Sequence, residues 1–144
     1  MFDTIDHVGI AVVDVDAAIE VYTRLSGHGP VHREVVERDG IEAVMFAVGG
    51  SRIELLAATR PNSAISTFLA KRGPGLHHVA YGVVDVQRAL DEYSESGVQL
   101  LDTCPRAGAG GRLVAFLHPS AALGVLTELC MPLPAAPLTA ESAE

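Results

Sequence analysis

The chain writes one segment twice. Ile5 to Tyr22 reads IDHVGIAVVDVDAAIEVY, and Leu76 to Tyr93 reads LHHVAYGVVDVQRALDEY. With His7 set on His78, Val8, Val12, Val13, Asp14, Val15, Ala18 and Tyr22 meet identical residues at Val79, Val83, Val84, Asp85, Val86, Ala89 and Tyr93. A second block follows: MFAVGGSRIELL (Met45 to Leu56) resembles AFLHPSAALGVLTELC (Ala115 to Cys130), which sets Glu54 on Glu128. Short Val-rich strands can match by chance, but VVDV with a Tyr at the same offset and a second matching block argue against chance. A period of about 70 residues present only twice is not a solenoid. It describes a duplicated module inside one pseudo-symmetric domain.

Each module reads as strand, helix and three strands. In HVGIAVV, Val8, Ile10 and Val12 share one face while His7, Gly9 and Ala11 share the other. HVAYGVV repeats this, with Val79, Tyr81 and Val83 opposite His78, Ala80 and Gly82. The bulky face should pack on a helix. The small residues should leave open space beside each imidazole. Asp14 or Asp16 is placed to cap the first helix and Asp85 the second. Ala18, Ile19, Tyr22 and Leu25 form an apolar stripe, echoed by Val86, Ala89, Leu90 and Tyr93. Gly27 and Gly97 close the helices. Strands are expected over 31–37, 41–48 and 51–57, with turns at RDG and GG, and in the second module over 98–101, 111–118 and 124–130. Between the modules a linker helix is expected within 61–75, capped by Ser63, with Ile65, Phe68 and Leu69 inward and Gly73 at its end. The fold class is α+β: two βαβββ modules, over 3–59 and 76–131, whose sheets curve into a cup. They make one domain over 1–131, followed by a Pro- and Ala-rich tail over 132–144 expected to be frayed.

Composition narrows the function classes. A net charge of −8 with six His counted neutral argues against the nucleic-acid backbone as main partner. No apolar run approaches the roughly 18 residues of a membrane span, and the N-terminus has neither the basic start nor the apolar core of a signal peptide. Two cysteines, Cys104 and Cys130, are too few for a disulfide framework, and reduced thiols in a cytoplasmic protein are the default reading.

The repeat also duplicates chemistry. His7 and His78 stand on the open face of equivalent strands. Glu54 and Glu128 stand on each module's last strand, between apolar neighbours, and so point to the face opposite them. A carboxylate inside a cup costs several kcal/mol unless it is paired or binds a metal. Two imidazoles and two carboxylates converging from four strands suit one divalent cation such as Co, Mn, Ni, Zn or Fe(II), with open positions for substrate oxygens. The competing arrangement is a buried His–Glu network without metal. His77, next to His78, should point to the opposite face and reads as structural, or as a residue that backs a ligand, rather than as a ligand itself. His28 and His32 have no repeat counterpart and read as surface residues. His118, in LHPS, is placed either to contact substrate or to stabilise its turn.

At these residues the sequence resembles a known family. DHVGIAVVDVDAAIEVY, RIELLA, GLHHVAYGVVDV, PRAGAGGRLVAFLHP and GVLTEL, spanning Ile5 to Leu129, are together similar to the methylmalonyl-CoA epimerases of the glyoxalase, or vicinal oxygen chelate, superfamily. The DHVGIAV segment marks only the superfamily; GLHH, PRAGAGG and FLHP followed by GVLTEL are closer to the epimerases. The resemblance implies the paired βαβββ cup and an isomerase that interconverts (R)- and (S)-methylmalonyl-CoA, or a related 2-alkylmalonyl-CoA, through a metal-stabilised enolate. The metal, cobalt being favoured, would sit on His7, Glu54, His78 and Glu128, and a homodimer is implied. An acid/base group is needed on each side of the α-carbon. Glu128 is the first choice, with Glu54, a water or His118 opposite. Some relatives carry a glutamate where Ala43 stands; Glu42, adjacent on the strand, should face the other way. Close relatives usually carry Lys at Ser120. Arg106, Arg112 and the Gly108–Gly111 amides, Gly110 among them, are candidates to hold the acyl-CoA, with His118 and Ser120; a plain flexible hairpin is the alternative for the Gly-rich segment. Other readings within the superfamily are a glyoxalase-like lyase or isomerase, a dioxygenase using His7, His78 and Glu128, or a non-catalytic binding or resistance protein.

Overall fold

The structure, a computed structural model, describes residues 1–134. The tail expected from 132 lies outside the described residues from 135 onward, while Pro132 still belongs to the last strand. The first half runs β1 (Thr4–Ala11), α1 (Val15–Ser26), β2 (His32–Val36), β3 (Ile41–Val48) and β4 (Ser51–Ala58). After α2 (Ala64–Arg72) come β5 (Gly75–Gly82), α3 (Val86–Glu95), β6 (Arg106–Gly108), β7 (Arg112–Leu117) and β8 (Thr127–Pro132). No helix among the described residues is long and apolar enough to cross a membrane.

All eight strands form one mixed sheet in the order β2-β3-β4-β1-β5-β8-β7-β6. β1 runs parallel to β4 and β5 parallel to β8, while β1 and β5 pair antiparallel with Val8 opposite Val79. The pseudo-twofold relation between the halves passes through that pair. The sheet curls until its edges nearly meet. Glu34 of β2 accepts the Gly110 N–H beyond β6, and Arg106 pairs with Asp39 at 3.1 Å. The result is the expected α+β cup.

The helices cover the outside of the cup. Asp14 accepts the Ala17 N–H and Asp85 the Arg88 N–H, both at 3.1 Å, each cap being worth about 1 kcal/mol. Under α1, Val12, Val44, Phe46 and Leu55 form a core with Ala18, Ile19 and Tyr22. Under α3, Val86, Ala89 and Leu90 are fully buried against Val83, Ala115, Leu117 and Leu129. Two expectations fail here. Leu25 is 73% exposed, because the packed stripe of α1 ends a turn earlier at Tyr22. Residues 98–101 make no strand, only a bridge from Leu100 to Leu117. The Asp102 carboxylate takes the Phe116 N–H at 2.8 Å, so the ladder cannot extend there, and the chain pairs with β7 later, at Arg106–Gly108.

Candidate metal centre

The register of β1 against β5 places His7 opposite Ala80 and His78 opposite Gly9. The parallel partners bring Glu54 beside Gly9 and Glu128 beside Ala80. Four side chains from four strands therefore meet at the pseudo-axis. All are buried: His7 3%, His78 3%, Glu54 5% and Glu128 6% exposed. The space expected beside the imidazoles is not open. A Cβ on Gly9 would stand 2.1 Å from His78 Cε1, so the glycine is there because the facing histidine fills its place.

The donor atoms crowd one point. His7 Nε2 and His78 Nε2 are 3.1 Å apart. Glu128 Oε2 lies 2.8 Å from the first and 3.3 Å from the second, and Glu54 Oε1 lies 3.6 and 3.7 Å from them. Ligand atoms of His7, Glu54 and His78 all fall within 4.8 Å of one another. Yet Glu128 Oε2, buried, finds no directed hydrogen bond. A buried carboxylate oxygen left without a directed partner is costly. Two imidazole nitrogens and two carboxylates converging on one point are a donor set that fits a divalent cation taking the place of the His7 proton. His7, Glu54 and His78 form a possible metal site, with Glu128 against both imidazoles, and these residue types suit borderline divalent ions.

The surrounding charges divide these groups. Burial opposes a charge on His7, but the Asp6 and Glu128 carboxylates outweigh it and raise its pKa to about 10. Burial pushes Glu54 up, and the Glu128 charge adds to that. Glu128 is held low despite its burial, because both imidazoles stand against it. Asp6 also lies well below the usual carboxylate range: burial is outweighed by His7 and Arg52, with Arg112 adding.

Behind each histidine stands the residue before it. The pairing of β1 with β5 skips Asp6 and His77, one bulge on each strand. Asp6 Oδ2 accepts from His7 Nδ1 at 2.7 Å and is held by Arg52 at 2.7 Å, while its other oxygen meets Arg112 at 3.0 Å. His77 Nδ1 lies 2.9 Å from His78 Nδ1. The expectation that His77 points to the opposite face is thus overturned, because strict alternation stops at a bulge. Its ring packs edge-on against Phe68 with centroids 4.9 Å apart. Burial and the neighbouring His78 lower its pKa to about 4. The aligned positions of Asp6 and His77, polar in both copies, were the available signal.

A cavity of about 320 Å³ opens on Glu54, His78 and Glu128. Its apolar wall includes Ile41, Leu56 and Ile65, and its rim carries Arg38, Arg60 and Arg106. Arg60 is tied to the Glu37 and Arg38 carbonyls, and Arg106 to Asp39. Arg38, which the sequence reading did not single out, makes no ion pair among the described residues. Ala43 faces inward and is fully buried, whereas Glu42 pairs with Arg33 at 2.7 Å on the outer face. Of the substrate-binding candidates, Arg106 lines this cavity. Arg112 is engaged by Asp6. Gly110 donates to Glu34 and packs over Met45 and Arg52. His118 accepts the Ser120 N–H at 3.0 Å, and the Ser120 hydroxyl donates to Gln99 at 3.2 Å; neither residue lines the cavity.

The arrangement has known counterparts. Residues 6–116 match the Glyoxalase/Bleomycin resistance protein/Dioxygenase superfamily. The uncharacterized protein YqjC of Bacillus subtilis is 38% identical over 128 residues, 89% of this chain and 91% of its own. An ethylmalonyl-CoA/methylmalonyl-CoA epimerase of Cereibacter sphaeroides is 34% identical over 90% of this chain and 98% of its own. A Streptomyces coelicolor methylmalonyl-CoA epimerase, solved with 2-nitronate-propionyl-CoA, superposes with a TM-score of 0.85 at 40% identity, covering 92% of this chain and 96% of that one. The chain belongs to the Glyoxalase/Bleomycin resistance protein/Dioxygenase superfamily, among the relatives of the methylmalonyl-CoA epimerases.

Proposed function

We propose that this chain is a metal-dependent epimerase that interconverts (R)- and (S)-methylmalonyl-CoA or a related 2-alkylmalonyl-CoA. The observation that carries this reading is the meeting of His7, Glu54, His78 and Glu128, three of which, Glu54, His78 and Glu128, line a cavity that also holds Arg38, Arg60 and Arg106. When bound, a divalent cation supplies electrophilic stabilisation of the negative charge that develops on the thioester oxygen. The residues supply the rest. Glu128 is suited to take the α-proton, and Glu54, the other carboxylate at the meeting point, to return one. Ala43 leaves the inner wall beside Leu56 apolar, which fits an alkyl substituent and leaves proton transfer to the two ligand carboxylates. Arg106 and Arg38, which makes no ion pair among the described residues, would meet anionic parts of an acyl-CoA, with Arg112, Gly110, His118 and Ser120 holding the surrounding loops. Homodimerisation, a cytoplasmic location and cobalt as native metal belong to the same proposal and rest on resemblance.

The test is exchange of the α-proton with deuterated water over a series of alkylmalonyl-CoA substrates. Metal-loaded protein should exchange methylmalonyl-CoA or a close homologue well above a metal-free control. No exchange with any member of the series would reject the epimerase reading.

A further inference from the structure

His77 occupies a place that the proposed proton transfer does not use. Its ring lines the cavity that opens on Glu54, His78 and Glu128 and also a second cavity of about 350 Å³ that includes Phe68 and Arg72. Its Nδ1 meets His78 Nδ1 at 2.9 Å, while its Nε2 makes no hydrogen bond among the described residues.

The chemistry of the pair fixes its protons. If His78 gives its Nε2 lone pair to a cation, a neutral His78 must carry its hydrogen on Nδ1. That N–H can only donate to His77 Nδ1, which must then be bare. A neutral His77 is left with its hydrogen on Nε2, in the wall shared by two cavities. We infer that His77 is a substrate-binding hydrogen-bond donor, which presents Nε2–H to an oxygen of the bound acyl-CoA with its tautomer set by metal occupancy at His78. This rests on the metal-site reading above. It makes the two halves unlike in function. Asp6 backs His7 and is held by Arg52 and Arg112, whereas His77 faces ligand and substrate together.

The experiment uses the full chain loaded with zinc and labelled with ¹⁵N-histidine. Nitrogen shifts should show His77 protonated at Nε2 and bare at Nδ1. His77→Asn keeps an acceptor for His78 and shortens the donor's reach. It should hold zinc nearly as tightly as the parent yet bind 2-nitronate-propionyl-CoA about tenfold more weakly. His77→Phe should lose that affinity as well as about 10- to 100-fold in zinc affinity. A parallel titration with free CoA locates the acceptor: loss confined to the acyl analogue places it on the acyl head, and loss with both places it on the thiol arm. The inference is overturned if His77 carries its proton on Nδ1 in the zinc-loaded protein. It is equally overturned if both variants bind the analogue within about twofold of the parent. Failure of the parent to take up zinc would overturn the metal reading itself, and with it this inference, and is read independently of the variants.

Discussion

The two halves supply the same pair of residues, a His and a Glu, from equivalent strands and back the histidines differently. In the first half a carboxylate stands behind the histidine, and Arg52 and Arg112 hold it ionised. In the second a neutral imidazole does so, leaning on Phe68. The halves also differ in packing: α3 buries three residues fully and α1 none. Duplication therefore conserved what four-fold convergence needs, the His, the Glu and their register. It left free what lies one residue away. The likeness of the halves makes the proposed ligand set, and their difference would assign unlike work to its members.

Substitutions can break this comparison in graded ways. The largest effect should come from the carboxylates. Glu128→Gln should lower α-proton exchange by about 10²- to 10⁴-fold, the usual weight of a positioned acid–base group. Glu42→Gln, on the outer face with Arg33, should leave exchange nearly unchanged. Equal losses would mean that the inner and outer faces of β3 have been confused.

Next is the clamp behind His7. Asp6→Asn leaves two partly buried arginines without their carboxylate, and breaking such a cluster from one side costs about 3–5 kcal/mol. Denaturant unfolding should register that loss, and metal affinity should fall by about 10- to 100-fold. An unchanged midpoint would show that the cluster is not a structural clamp.

Smaller, and specific to the pseudo-axis, is the pair Gly9 and Ala80. A methyl on Gly9 would enter the His78 ring. Gly9→Ala should therefore cost about 1–3 kcal/mol through overpacking and displace one ligand. Its counterpart Ala80 already has a methyl, buried with Val114 and Cys130, and Ala80→Gly should cost about 1–2 kcal/mol through backbone freedom and the lost methyl while leaving metal affinity nearly unchanged. Equal losses of metal affinity in both variants would mean that the two histidines are seated alike.

Much of this was legible in the sequence. Period-2 alternation put the histidines and glutamates on one face, and the repeat implied a single site shared by both halves. The fold class followed from the order of elements. The misses share a cause: local pattern says where a regular strand would point, and the departures arise where regularity ends. His77 swings to the site because a bulge breaks alternation. The strand expected at 98–101 fails because Asp102 captures the amide it would need. Leu25 has helical spacing but no partner beneath it. Arg38 was invisible because a cavity rim is made by curvature, which no window of sequence contains.

The central claim is that both halves close on one metal ion. Calorimetric titration of the metal-free chain with zinc, repeated in buffers of different ionisation heat, tests it most directly. His7 is protonated in the metal-free fold below a pKa of about 10, so a cation binding at Nε2 must expel that proton, and affinity must weaken as the pH falls. The expected result is one ion per chain, release of about one proton near pH 7 from His7, and loss of tight binding in both His7→Ala and His78→Ala. Tight uptake that survives either substitution, or no uptake at all, would contradict a site built from both halves.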